Sequence, residues 1–147
     1  MPMRRLSWSD IFTDASALNF AELLAYWPNT VSGRVSPIGA SAFGDLYFQR
    51  PDGSVECLDV LEGGTHLVAA SQEDFATLMN SREWQESNLL TEGVALLLER
   101  GLARGPEQFF AFAPHPSFVG KIDWSRVLTL DSAIWHSICS QALEHGV

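Results

Sequence analysis

Apolar residues along the chain recur in two rhythms. One has the 3.6-residue period of a helix face and the other the short, dense runs of buried strands. Leu18, Phe20, Leu23, Leu24 and Trp27 mark a helix from Asp14, placed to cap it, to about Tyr26, with Pro28 ending it. Residues 1 to 13 read as a lead-in whose Trp8, Ile11 and Phe12 dock on the domain, and 29 to 39 as a loop with a short strand near Val35. Phe43–Arg50, Val55–Leu61 and Thr65–Ala70 have the composition of three strands in a meander. Ser71 with Asp74 starts a helix that turns Phe75, Leu78 and Met79 inward. A short helix follows over Arg82 to about Glu86, then a longer one over Leu89–Arg100, closed by Gly101. Gln108–Ala113 and Arg126–Leu130 read as two further strands, with Pro114 and Pro116 ending the first and Gly120 allowing a turn. Asp131 is placed to cap a last helix with Ile134, Trp135, Ile138, Cys139 and Leu143 on one face. The order predicts a single α+β domain with a mainly antiparallel sheet, a central three-strand meander and four to five flanking helices.

The meander turns on Arg50-Pro51-Asp52-Gly53, where Pro presets φ and Gly tolerates a positive one. Two registers satisfy it. A two-residue loop opposes Phe48 to Val55, Leu46 to Cys57 and Gly44 to Asp59. A three-residue loop with a Gly bulge opposes Leu46 to Leu58 and Asp45 to Asp59. Strand twist favours the bulge. Alignment of apolar residues and avoidance of facing like charges favour the two-residue loop, which is the register expected. Only the bulged register brings two carboxylates together, as a coupled acid/base pair requires.

Charge narrows the partners. The net charge is −9, and residues 51 to 99 account for all of it, with ten acids against one base, Arg82. Such a field repels nucleic acid and anionic membrane and attracts a basic partner. Hydrophobic residues at 46% with 18% charged fit a folded globular chain rather than a disordered one. No apolar run approaches a membrane span, and Arg4 and Arg5 are followed by no apolar stretch of the kind a signal peptide needs. Cys57 and Cys139 read as buried free thiols.

Catalytic motifs are missing. His66, His115, His136 and His145 stand at no metal-ligand spacing, and His66 and His115 read as exposed loop or strand-edge residues. There is no G-x-S-x-G, G-x-x-x-x-G-K-S/T or G-x-G-x-x-G, and aromatics do not alternate with Lys or Arg. No cofactor is expected. Asp45 and Asp59 are the best enzymatic pair, against a plainer role for Asp45 as a turn carboxylate after Gly44.

Ala42-Phe43-Gly44-Asp45-Leu46-Tyr47-Phe48 resembles the A-F-G-D-L-F/Y signature of a bacterial domain family whose members include the C-terminal domain of type VI secretion DNase-immunity proteins. Phe110-Ala111-Phe112-Ala113-Pro114 is similar to that family's later Y-G-F-V-P strand. Gly120, Val127 and the helix holding Trp135-His136 follow in the family's order, so the resemblance spans residues 40 to 143. Ala111 stands where Gly is usual, His115-Pro116-Ser117 replaces a small apolar run, and a single helix replaces a longer N-terminal region. The resemblance implies a cytoplasmic, non-enzymatic protein that neutralises a secreted, nuclease-type toxin by binding it. Phe43, Gly44, Asp45, Phe112, Pro114 and Gly120 would then build the fold. The acids expected to meet a basic toxin are Glu56, Asp59, Glu62, Glu73, Asp74, Glu83 and Glu86. The alternative is an accessory or regulatory protein-interaction module, for which a homodimer is one expected form.

Overall fold

A computed structural model describes residues 6–144. The readings of Arg4, Arg5 and His145 lie outside the described residues. The chain is α+β, with seven helices, a five-stranded antiparallel sheet ordered β1-β2-β3-β4-β5 and a two-stranded sheet β6-β7 among the described residues. The expected meander is its heart: β3 (Leu46–Gln49), β4 (Val55–Leu58) and β5 (Thr65–Ala69).

The N-terminal third differs from its sequence reading. The lead-in forms a short helix α1 (Trp8–Ile11) and an edge strand β1 (Phe12–Asp14), with Ile11 and Phe12 buried and Trp8 exposed. The single helix expected from Asp14 is split. Asp14 caps only a 3-10 turn, Ala15–Ala17, and α2 (Phe20–Leu24) starts afresh where the Asn19 side chain accepts from the Glu22 N–H. Two local caps compete with helix continuation here and prevail. The expected loop contains a strand, β2 (Ser36–Ser41), despite Pro37. Pro37 is tolerated because β1 reaches only Gly39–Ser41 and the β2–β3 register shifts between Pro37 and Gly39.

The hairpin takes the bulged register, not the two-residue loop expected. Leu46 faces Leu58, Tyr47 faces Cys57, Phe48 faces Glu56 and Gln49 faces Val55. Arg50 N–H bonds to Ser54 O, Gly53 N–H to Arg50 O, and Gly53 has φ +92°. A type I turn closed by a left-handed Gly matches strand twist. Apolar alignment does not decide the register because Leu46, Tyr47 and Phe48 are all buried, so both faces of β3 are covered.

Helices α3 (Gln72–Met79), α4 (Arg82–Asn88) and α5 (Thr91–Glu99) follow β5. Ser71 and Ser81 cap the first two through their hydroxyls. Leu90 takes a left-handed φ of +53° before α5, so that helix begins at Thr91, two residues later than expected. Phe75 and Trp84 pack against Tyr47 at ring separations of 5.4 and 6.1 Å and so cover one face of the sheet. β6 (Gln108–Phe112) and β7 (Val127–Asp131) flank a short helix α6 (Pro116–Val119) that the sequence reading lacked.

The last helix, α7 (Ser132–Leu143), is turned from its expected orientation. Asp131 sits at its N-cap without a side-chain bond. Trp135, His136, Cys139 and Ser140 face the core, while Ile134 and Ile138 are exposed. The orientation lets Trp135 and His136 hydrogen-bond to the loop at Phe43 and Gly44 and leaves Ile134 and Ile138 outside. Both cysteines are buried and free.

Candidate functional site

Ser41–Asp45, which overlaps the first residues of the Ala42–Phe48 stretch, forms the loop from β2 to β3. It is closed by Ser41 N–H to Asp45 O at 2.9 Å and Gly44 N–H to Ser41 O at 3.1 Å. Gly44 has φ +99°, and a Cβ there would lie 3.0 Å from the Trp135 ring and 3.1 Å from Phe109. Only glycine suits both the conformation and the approach. Phe43 stacks on Phe112 at 5.6 Å. Trp135 Nε1–H donates to Phe43 O at 2.7 Å. Trp27 Nε1–H donates to His136 Nδ1 at 3.0 Å, which fixes the tautomer, so Nε2–H donates to Gly44 O at 2.9 Å. Burial of that imidazole lowers its pKa to about 4. Pro114 follows β6 on the surface, and Gly120 closes α6 with φ +74°.

Register decides what lies beside this loop. Side chains two apart share a sheet face, so Asp45 and Tyr47 point with Cys57 and Asp59, and His66, opposite Cys57, joins them. These five residues line a cleft of about 570 Å³, completed by Glu62, Leu90, Ser117, Lys121 and others. The aspartates therefore do come together. Asp45 Oδ1 accepts from Val60 N–H at 3.0 Å and Oδ2 from the Ser41 hydroxyl at 3.1 Å. Burial and then the Asp59 charge raise its pKa to about 7. Asp59 Oδ1 accepts from Leu61 and Glu62 N–H, both at 2.9 Å, and so caps the β4–β5 turn. Asp45 is thus a protonatable node at the base of the cleft whose oxygens also staple β3 to that turn. Among the described residues no three His, Cys, Asp or Glu side chains are disposed to hold a metal ion. The same burial raises the Tyr47 and Cys57 pKa values.

His115, expected on the surface, is buried. Its Nδ1 accepts from Ser117 N–H, so Nε2–H donates to Val60 O at 2.8 Å and pins α6 to the β4–β5 turn. Sequence gave no sign of this, since the bond spans 55 positions.

The expected acids separate into two groups. Glu56 is held by Arg50 at 3.0 Å, and Asp59 is committed to its turn. Glu62, Glu73, Asp74, Glu83 and Glu86 are exposed on the β4–β5 turn, α3 and α4, with no ion pair among the described residues.

The Asp45 environment has a measurable consequence. A carboxyl with a raised native pKa stabilises the fold at low pH, and that contribution is lost as pH rises from about 3.8 through about 7. Asp45→Asn is therefore expected to gain on the parent by on the order of 4 kcal/mol between pH 4 and pH 8, read from chemical denaturation at each pH. An unchanged difference across that range would refute the assignment. His136 acts oppositely, so the two contributions offset each other between about pH 4 and 6.5 in the parent.

No protein-family model matches this chain, and no curated protein matches it in sequence.

Proposed function

We propose that this chain is a non-enzymatic neutralising protein that binds a basic, nuclease-type secreted effector through its acidic face. The observation that carries the reading is the set of exposed acids Glu62, Glu73, Asp74, Glu83 and Glu86, without an ion-pair partner among the described residues, in a segment whose one base is Arg82. A solvated acidic face needs no single sign over so long a stretch; a basic nucleic-acid-binding surface is its electrostatic complement. The similarity of Ala42–Phe48 and Phe110–Pro114 to the immunity-domain signature supports the same role. In this reading the signature residues hold the frame, the acids steer association and the protein acts in the cytoplasm.

The test is capture of a basic effector from the source organism at low salt, followed by affinity measurement with the quadruple variant Glu73→Lys, Asp74→Lys, Glu83→Lys, Glu86→Lys. Affinity is expected to fall at least about 100-fold in the folded variant, and the parent complex to weaken steeply with salt. Unchanged affinity in a variant with an intact melting transition overturns the reading.

A further inference from the structure

We propose that the outer edge of β5 receives an extended basic segment of the partner as a sixth strand. The inference rests on the acidic-face reading and names how the partner is held. Strand β5 ends the sheet order, and among the described residues the backbone of Thr65–Ala69 bonds to no element but β4. Its outer N–H and C=O groups are therefore a template for another strand. Thr65, His66 and Leu67 are exposed in succession, with Leu67 66% exposed, so neither face is roofed at this point.

Edges are ordinarily guarded, and the opposite one is. β1 spans three residues, and the Arg104 guanidinium lies beside it, donating to Thr13 Oγ1 and Ser9 O at 3.0 Å. Thr65–Ala69 contains no Lys, Arg or Pro. A register shift near Val55 and Glu56 irregularises only its far end, leaving Thr65–Leu67 regularly paired with Leu58–Glu56.

Charge selects the occupant. Asp59 and Glu62 stand in the turn before β5, and Glu73 and Asp74 open the helix just after it, so acids flank both ends of the edge. A second copy of this chain would set acids against acids whether the two edges ran parallel or antiparallel. An incoming strand with Lys or Arg flanking an apolar residue pairs its charges with both ends and its apolar side chain with Leu67.

The probe is a synthetic heptapeptide alternating lysine and valine, added to the full chain at low salt and followed by amide hydrogen exchange. Exchange at the outward amides of Thr65–Val68 is expected to slow about tenfold at saturation. The same peptide N-methylated at alternate residues keeps its charge and should give no such protection. Leu67→Lys, a change at an exposed site, should weaken peptide binding at least about tenfold. Protection confined to Glu73–Glu86, or indifference to both N-methylation and Leu67→Lys, overturns the edge while leaving the acidic-face reading standing. No binding at all also overturns the edge, and the acidic-face reading is then decided by the quadruple variant and the captured effector.

Discussion

Replacing His136 with phenylalanine is expected to lower unfolding free energy by about 2–6 kcal/mol, although an aromatic ring is kept. The loss comes from what remains behind. Trp27 Nε1–H and the Gly44 carbonyl each lose their partner in a fully buried site, and an unsatisfied buried group costs about 1–3 kcal/mol. A double-mutant cycle isolates the cause. Trp27→Phe removes the donor that His136→Phe strands, so the pair together should cost less than the sum of the two alone. Strict additivity would mean that the hydrogen bond contributes nothing. The deficit of His136→Phe should also shrink in acid. The native imidazole stays neutral down to about pH 4 against an ordinary value of 6.5. The parent therefore holds this contribution in full above about pH 6.5 and loses about 3 kcal/mol of it by pH 4, a loss the variant does not share.

Phe43→Ala is expected to cost about 3–5 kcal/mol, with the melting temperature falling roughly 6–20 °C for a domain of this size. Phe43 is fully buried, lies parallel to Phe112 with 4° between rings and meets the edge of Trp124 at 5.7 Å. It is the side chain through which the β2–β3 loop of the large sheet enters the small one. Two further ties cross the same junction: Phe110 N–H to Ala42 O at 2.9 Å and Trp135 Nε1–H to Phe43 O at 2.7 Å. Truncation opens a cavity among rings that these bonds keep from collapsing inward. Phe43→Leu fills part of it and should recover about half of the loss. A change below about 1 kcal/mol for Phe43→Ala would show that the two sheets are joined by other means.

In the proposed reading these residues serve function through rigidity rather than contact. Phe43 and Gly44 hold the loop whose next residue, Asp45, accepts from the Val60 N–H, and Val60 in turn accepts from His115. The β4–β5 turn carrying Asp59 and Glu62, and with it the start of the β5 edge, is thereby fixed from both sides. Under the proposal, a partner meeting that edge would find the acids already in place, with no cost of ordering them.

Much of this molecule was legible in its one-dimensional pattern. The Ser71 cap, the Gly101 stop, the Gly120 turn, the Pro-Asp-Gly turn and the aromatic β6 strand all follow from local preferences of φ and from side chains reaching their own backbone. The acidic middle segment is a count of charges, and no fold could alter it. Where local signals were mixed, reading the pattern alone failed. The helix stripe from Leu18 to Trp27 hides the break that the Asn19 cap makes, and Pro37 argued against a strand at whose exposed end it sits.

What tertiary structure alone decided was which faces were covered and which distant groups met. The hairpin register could not be chosen from apolar alternation, because Leu46, Tyr47 and Phe48 are all buried and burial on both faces erases the period-two signal. That register then set Asp45 and Asp59 in one cleft. The α7 stripe was rotated by hydrogen bonds from Trp135 and His136 to a loop 92 positions earlier, a pairing invisible to any helical wheel. The sequence by itself determined the elements, their caps and the sign of the surface, because those are local or additive properties. The cleft, the neutral buried histidines and the open β5 edge arose only from the packed fold, because each depends on what the rest of the chain leaves covered or bare.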